Sequence, residues 1–184
     1  MKKILTVAAF AVLGFTNMQA QEVNFGLKGG FNLANLTGDN SKDLDVVTSF
    51  NFGAMAEIPL SEKFSFQPEI LFSGQGTSVN DDILDLKYLN VPLMGKYYLT
   101  KGFSLEAGPQ VGFLLSAKAL GNDVKDSVRP IDLGLNVGLG YKLDNGLNFG
   151  ARYNFGLTNI NDISGVNDKN QNSVFQFSVG YFFF

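Results

Sequence analysis

Eight charged residues of this sequence fall within segments whose residues alternate between apolar and polar. In an extended segment, residues two apart point to the same side, so these charges share one face. Carboxylates and cations collected in this way can pair across strands, line a polar conduit or bind a substrate. The set comprises Lys28, Glu57, Glu69, Lys96, Glu106, Asp132, Lys142 and Arg152.

Residue types that the chain lacks restrict this chemistry. The 184 residues include no histidine and no cysteine. Nucleophilic catalysis by Ser/His or Cys/His pairs is therefore excluded, and so are the usual zinc sites. The carboxylates form no evident acid/base pair, and we predict a protein that is not an enzyme and has no cofactor. A membrane-embedded lipid A deacylase or protease is the enzymatic alternative, although small membrane enzymes of these kinds generally rely on histidine.

The N-terminus has the pattern of an export sequence. Lys2 and Lys3 precede an apolar run over residues 4–15, and small or polar residues lead to Ala20. The run is too short for a membrane-spanning helix, which needs about 20 apolar residues. We predict a cleaved signal peptide over residues 1–20 and one domain over residues 21–184.

The charge of the mature chain argues against a nucleic-acid partner. Without the predicted signal peptide, the chain has 12 basic and 17 acidic residues, which gives a net charge of −5. Nucleic-acid binding needs a clustered basic face, which this composition does not provide. Since the chain has no cysteine, its stability cannot come from disulfides.

Strict alternation defines the fold. In "IDLGLNVGLGYKLDNGLNFGARYNFGL", residues 131–157, the odd positions are apolar except Asn145, and the even positions are polar or glycine. Eight such runs occur, and their apolar faces carry no charge. The other faces are rich in glycine and small polar residues, which fit the interior of a narrow barrel. The pattern predicts an all-β, eight-stranded antiparallel up-and-down transmembrane β-barrel whose bulky face meets lipid.

Short and long connections alternate between these runs. Two outward-facing residues that pair across a turn must be separated by an odd number of residues, and this parity predicts turns of three residues. Such turns favour a positive φ at their last position, which Gly102 and Gly146 occupy in two of them. The pairs are Leu60 with Phe64, Leu99 with Phe103, and Leu143 with Leu147. Longer polar segments cover about residues 35–46, 75–85, 117–130 and 158–172. This asymmetry is typical of outer-membrane barrels, which have short periplasmic turns and longer external loops.

The long segments are acidic. They hold ten aspartates against five basic residues. Carboxylates suit hard cations, so these loops could bind calcium or bridge to anionic lipopolysaccharide through divalent cations. Solvated loops that keep an exposed surface soluble are the alternative.

Turn parity also predicts one ion pair inside the barrel. If Leu99 pairs with Phe103, the same register sets Lys96 directly opposite Glu106 on the inner face. Three prolines within predicted strands, Pro68, Pro92 and Pro109, cannot donate a backbone hydrogen bond. We expect bulges or gaps in the ladders there. The interior charges either neutralise one another and fill the barrel, or line a polar conduit or binding lumen; about 16 strands are needed for a wide aqueous channel.

Four motifs carry a family resemblance. The segments "FSFQPEILFSGQG", "YLNVPLMGKYYL", "FSLEAGPQVGFLLSAK" and "DLGLNVGLGYKLDNGLNFGARYNFGLTNI" resemble, in order, those of the PorT-like outer-membrane β-barrel family, often labelled porin family proteins. The resemblance implies a small outer-membrane barrel of Gram-negative bacteria, with little implied about activity. The family's namesake is tied to export of secreted proteins, so an accessory role in secretion is one alternative.

The chain end resembles the signal that the barrel-assembly machinery recognises during insertion. That signal is a last strand of alternating aromatic residues with a terminal Phe, here Phe175, Phe177, Val179, Tyr181, Phe183 and Phe184, of which Phe184 lies one position out of phase. Tyr97, Tyr141 and Tyr181 face outward near the predicted periplasmic ends, where an aromatic girdle contacts the lipid interface. Expected partners are therefore outer-membrane lipid and lipopolysaccharide, the assembly machinery, and an unidentified loop-binding partner.

A soluble periplasmic, lipocalin-like barrel that binds an apolar ligand is a further alternative. It would turn the Phe-rich face inward and place the glycine-rich face in water. Such a protein would be soluble without detergent.

The two face assignments make opposite predictions for Leu135 and Asn136. A basic residue on the lipid face at the membrane midplane costs about 2 to 4 kcal/mol, whereas a basic residue in the lumen remains in polar surroundings. Leu135→Arg should block stable assembly and Asn136→Arg should be better tolerated, as measured by recovery of folded protein in the outer-membrane fraction. Equal tolerance at the two positions would contradict the assignment.

Overall fold

A computed structural model describes residues 23–39, 44–79, 82–162 and 168–183, so the predicted signal peptide lies outside the described residues. Eight long strands and one two-residue strand, β6, make up nearly all of this part of the chain. Their bounds are β1 Asn24–Gly38, β2 Val47–Pro59, β3 Phe64–Val79, β4 Asp82–Tyr98, β5 Phe103–Ala119, β6 Asn122–Asp123, β7 Ile131–Lys142, β8 Leu147–Gly156 and β9 Asn170–Phe183. A 3₁₀ turn covers Lys125–Ser127. Over the described ranges, no helix is long and apolar enough to cross a membrane.

The eight long strands close into a barrel. Each long strand pairs antiparallel with the next long strand along the chain, and β1 pairs with β9 over fourteen residue pairs from Phe25↔Phe183 to Gly38↔Asn170. Closure leaves no free strand edge in the wall, which a membrane requires because lipid offers no hydrogen-bond partners. The predicted eight-stranded antiparallel up-and-down barrel is confirmed.

The two faces of the wall are those that alternation predicts. Phe25, Phe50 and Phe155 on the outside are 63, 55 and 46 % exposed in the isolated chain, whereas inward-facing Asn32 and Glu69 are buried. Bulky apolar side chains therefore meet the surroundings, and polar side chains meet one another. The lipocalin-like alternative needs the reverse arrangement and is not supported.

The three short turns have the predicted pairing but not one common geometry. The backbone N–H groups of Leu60, Leu99 and Leu143 each donate to the carbonyl of the predicted partner, at 2.8 to 2.9 Å. Gly146 has φ +89°, as predicted. The prediction for Gly102 is wrong, because its φ is not positive. The Thr100 hydroxyl accepts from Phe103 N–H at 3.3 Å and closes that turn, as the Ser61 hydroxyl closes the turn before β3.

The opposite end differs from the prediction. Residues 75–85 were expected to form a long polar loop, but β3 continues to Val79 and β4 begins at Asp82. The strict alternation of short and long connections therefore fails at this hairpin. The loop is absent because the strands continue beyond the membrane. β3, β4 and β5 have 16, 17 and 17 residues, whereas about 9 to 11 residues suffice for a strand to span a bilayer. The other three long segments are also shortened by longer strands.

The prolines interrupt the ladders, as expected. Pairing is missing between Met55↔Glu69 and Ile58↔Phe66 in the β2–β3 ladder, opposite Pro68, and the register is the same on both sides of the gap. Similar gaps occur around Pro92 and Pro109 in the next two ladders. The bulge of the β4–β5 ladder lies elsewhere, at Lys87/Tyr88.

Alanine substitutions at two adjacent glycines of β1 test the β1–β9 pairing, the seam that closes the barrel. A Cβ on Gly30 would collide with the Phe177 carbonyl oxygen on β9, whereas one on Gly29 would lie 3.6 Å from its nearest neighbour, the carbonyl oxygen of Asn51. Gly30→Ala should destabilise the barrel by about 1 to 3 kcal/mol through this overpacking, and Gly29→Ala should be tolerated. The readout is the fraction of unboiled protein that migrates as a folded barrel on a gel. If the two variants behave alike, the β1–β9 pairing is incorrect.

Candidate functional site

The centre of the barrel interior is organised by Arg152 of β8. Its guanidinium lies 2.7 Å from a Glu69 oxygen on β3 and 2.8 Å from a Glu106 oxygen on β5. It donates two hydrogen bonds to each carboxylate. The contact with Glu69 is bidentate, with one hydrogen bond to each oxygen, and such contacts are among the strongest that arginine makes with carboxylates. One side chain therefore joins three strands that are not all neighbours in the wall.

Two lysines complete this central cluster. Lys28 of β1 lies 3.2 Å from Glu69, and Lys96 of β4 lies 3.4 Å from Glu106, which confirms the predicted cross-strand pair. Gln67 connects the two halves, since its amide donates to Glu69 at 2.6 Å and its oxygen accepts from Lys96 at 3.1 Å. All these side chains are buried. Lys28, Gln67, Glu69, Lys96, Glu106 and Arg152 are called the central cluster below.

A second, smaller group lies toward the short-turn end. Lys142 forms an ion pair with Glu57 at 2.8 Å, and the Tyr98 hydroxyl donates to the same carboxylate. The Lys142 ammonium also lies 5.1 Å from the centre of the inward-facing Phe182 ring. Cation–π contact and ion pairing together hold Lys142 near the periplasmic opening.

Asp132, the last of the eight predicted interior residues, is separate from both groups. It is buried on β7 toward the outer end, and Asn172 of β9 donates to its Oδ2 at 2.8 Å. The inward orientation of all eight residues agrees with their parity. Which of them contact one another across the lumen was not evident from the sequence, except for Lys96 and Glu106.

An apolar cap at the outer end was missed by the sequence analysis. It consists of the mutually packed buried residues Leu36, Leu86, Tyr88, Leu114, Ala117, Val128 and Ile160, with Leu44, Leu84 and Val124 against them. Several of these residues interrupt the polar face at inward positions, and that irregularity was the available signal. Ala117 joins them because the bulge opposite Lys87/Tyr88 shifts the inward phase of β5 by one residue.

The interior is therefore occupied from the central cluster to the outer end, whereas Glu57, Tyr98 and Lys142 line a pocket of about 510 Å³ at the short-turn end. Charges pair with charges, amides pair with amides (Asn136 donates to Gln110, and Asn154 to Asn136), and apolar side chains close the outer mouth. Within the described residues, no group of three or more His, Cys, Asp or Glu side chains could hold a metal ion. Among the aspartates of the segments predicted to be loops, Asp85, which lies within β4, pairs with Lys87, and Asp162 pairs with Arg129.

The outward-facing candidates occupy the predicted places. Tyr97, Tyr141 and Tyr181 are each nearly half exposed, and they pair with Phe64, Phe103 and Leu147, beside the short turns. On β9 the alternating residues face outward, namely Phe175, Phe177, Val179, Tyr181 and Phe183. Phe184 lies outside the described residues.

A closed barrel with an apolar outer face and a polar, filled interior defines a small integral outer-membrane protein. The sequence comparison agrees, since residues 19–162 match the family described as outer membrane protein beta-barrel domain. The chain belongs to that family, and the predicted outer-membrane location is confirmed.

Solved structures share the fold at low sequence identity. Neisserial surface protein A is 12 % identical, with 89 % of this chain and 100 % of that chain covered and a TM-score of 0.62. Ail, the attachment invasion locus protein of Yersinia pestis, is 15 % identical, with 88 % and 99 % covered and a TM-score of 0.55. OprG of Pseudomonas aeruginosa is 17 % identical, with 89 % and 97 % covered and a TM-score of 0.51. No curated protein matches the sequence.

Removal of Arg152 should destabilise the barrel strongly. Arg152→Leu leaves Glu69 and Glu106 buried with one cation each, and breaking a buried ionic network in this way costs about 3 to 5 kcal/mol. The urea midpoint of the purified, detergent-folded protein should fall accordingly. Lys101→Leu is the matched control, because its ion pair with Asp144 is solvent-exposed and contributes little. Equal midpoints for the two variants would contradict a stabilising role for the central cluster.

Proposed function

We propose that the protein is a non-enzymatic, non-conducting barrel that anchors its external connections in the outer membrane. The observation that carries this proposal is the filled interior: the central cluster occupies the middle of the lumen, and the apolar cap covers the outer end. The interior charges then have a structural role, and they neither bind a substrate nor conduct ions. An eight-stranded barrel has an interior just wide enough for such filling.

The external connections are the accessible part of such a protein, and we infer that they contact a partner. Support comes from apolar side chains at the outer tips, since Ile83 is 51 % and Leu120 is 68 % exposed. Leu120 also has φ +52°, an unfavourable conformation for a bulky residue, in the turn between β5 and β6. Among the structural neighbours, Ail was crystallised with a heparin analogue, sucrose octasulfate. For the acidic connections of this chain, divalent cations that bridge to lipopolysaccharide remain a candidate contact.

The lipid-facing surface supports two further roles. Outward-facing Tyr97, Tyr141 and Tyr181 lie at one level near the short turns, as an aromatic girdle at the periplasmic interface would. Alternating aromatic residues on β9, with Phe184 at the chain end, fit recognition by the barrel-assembly machinery during insertion.

An accessory role in protein secretion is the second candidate. It rests on the four PorT-like motifs, which lie mostly within wall strands β3, β4, β5, β7 and β8. This role also operates through external or periplasmic surfaces and is compatible with a closed lumen.

Planar-bilayer recordings test the non-conducting proposal. Protein whose folding is verified by a boiling-dependent gel shift should add no stepwise current to that of a protein-free bilayer, because the lumen lacks a continuous water path. Stepwise currents that scale with salt concentration would contradict the proposal. Turnover of lipid A or peptide substrates by the same preparation would contradict the non-enzymatic part.

A further inference from the structure

Four buried oxygen atoms lie between the central cluster and the apolar cap. They are the Oδ1 atoms of Asn90, Asp132, Asn154 and Asn172, and none has a hydrogen-bond partner among the residues that the structure describes. Each of the four residues is at most 6 % exposed. Buried polar atoms of folded proteins almost always have a partner, so several orphaned acceptors in one region indicate an occupant.

Strand register and two glycines bring these side chains together. Asn90 of β4, Gly112 of β5 and Asp132 of β7 are aligned in one inward-facing row. A Cβ on Gly112 would lie only 2.7 Å from Asn90 Oδ1, so the Asn90 amide extends over Gly112 toward Asp132. Asn154 covers Gly134 in the same way, since a Cβ there would lie 2.6 Å from its Nδ2.

The orientation of Asn172 follows from chemistry. Its Nδ2 donates to the Asp132 carboxylate at 2.8 Å and to the Tyr88 hydroxyl at 3.4 Å. An oxygen in place of this nitrogen would face the carboxylate without a proton between them. The Asn172 Oδ1 is therefore an acceptor that lacks a donor.

Charge balance distinguishes a cation from a neutral occupant. Lys28, Lys96, Lys142 and Arg152 all pair with glutamates, and none of the ion pairs found over the described ranges includes Asp132. A buried carboxylate without a counter-charge is costly, and water does not remove that cost. Carboxylate and amide oxygens are the ligands that hard cations take.

We propose that one hard cation binds in the lumen to the Asp132 carboxylate and the amide oxygens of Asn90 and Asn172, with Asn154 at the edge of the site. The cap side chains Tyr88 and Leu114 shield this lumen site from the outer solution. The ion supplies the counter-charge that the protein does not supply at Asp132. This site is separate from the acidic external connections and does not depend on the anchoring role proposed above.

Cation-dependent unfolding tests the site. The full-length mature barrel is folded in detergent and unfolded by urea at one ionic strength in sodium chloride, calcium chloride or N-methylglucamine chloride. Above the dissociation constant, each tenfold rise in the concentration of the free metal ion should raise the folding equilibrium constant about tenfold. Higher stability in sodium chloride would identify a site for a monovalent ion, and higher stability in calcium chloride would identify a site for a divalent ion. N-methylglucamine is too large to enter the lumen and serves as the reference.

Three variants show whether the effect of the metal ion on stability depends on the proposed ligands. Asp132→Asn keeps the shape of the side chain and should abolish the dependence on the metal ion, whereas Asp126→Asn in the exposed 3₁₀ turn should retain it. Asn90→Leu removes one ligand and should weaken the dependence, which keeps the test valid if Asp132→Asn does not fold. Equal stability in the three salts would overturn the proposal, as would a metal effect that persists in both Asp132→Asn and Asn90→Leu. Stability that rises only on acidification would also overturn it, because a proton would then neutralise Asp132.

Discussion

The cost of burying charge in a lumen too narrow for bulk water governs this structure. Seven of the eight interior charges belong to ion pairs, and Arg152 alone satisfies two carboxylates from different strands. Because unpaired buried charges are far more costly than paired ones, the interior residues constrain one another's positions. The same network fills the space that would otherwise be a channel. Stability and the proposed lack of conduction thus have a common cause.

The outer face follows from the complementary constraint, which is the absence of hydrogen-bond partners in lipid. Every wall strand pairs on both sides, and the β1–β9 seam closes the sheet. Close approach at that seam depends on Gly30, where a side chain would meet the β9 backbone. Bulky residues cover the outside, and glycines leave room inside for the long side chains of the central cluster.

Much of this architecture follows from local sequence rules. Parity around a three-residue turn was sufficient to place Lys96 opposite Glu106, and the missing amide donors of three prolines were sufficient to locate three ladder gaps. The contacts of Arg152 were not predictable, because β8 and β3 meet only across the curved interior. The conformation of Gly102 was mispredicted because the Thr100 hydroxyl closes the turn in another way. The apolar cap depends partly on a bulge, which shifts the phase of β5 without a marker such as proline.

Cysteine accessibility at two neighbouring positions tests the central claim, a lipid-facing wall around a sealed polar interior. The native chain has no cysteine, and Ser178 and Val179 are adjacent on β9, where Ser178 faces inward and Val179 faces outward. In outer membranes, Val179→Cys should react with a lipid-phase thiol probe but not with an aqueous one, and Ser178→Cys should react with neither. Reaction of Ser178→Cys with the aqueous probe would contradict a sealed interior. Reaction of Val179→Cys with that probe would contradict the lipid-facing assignment.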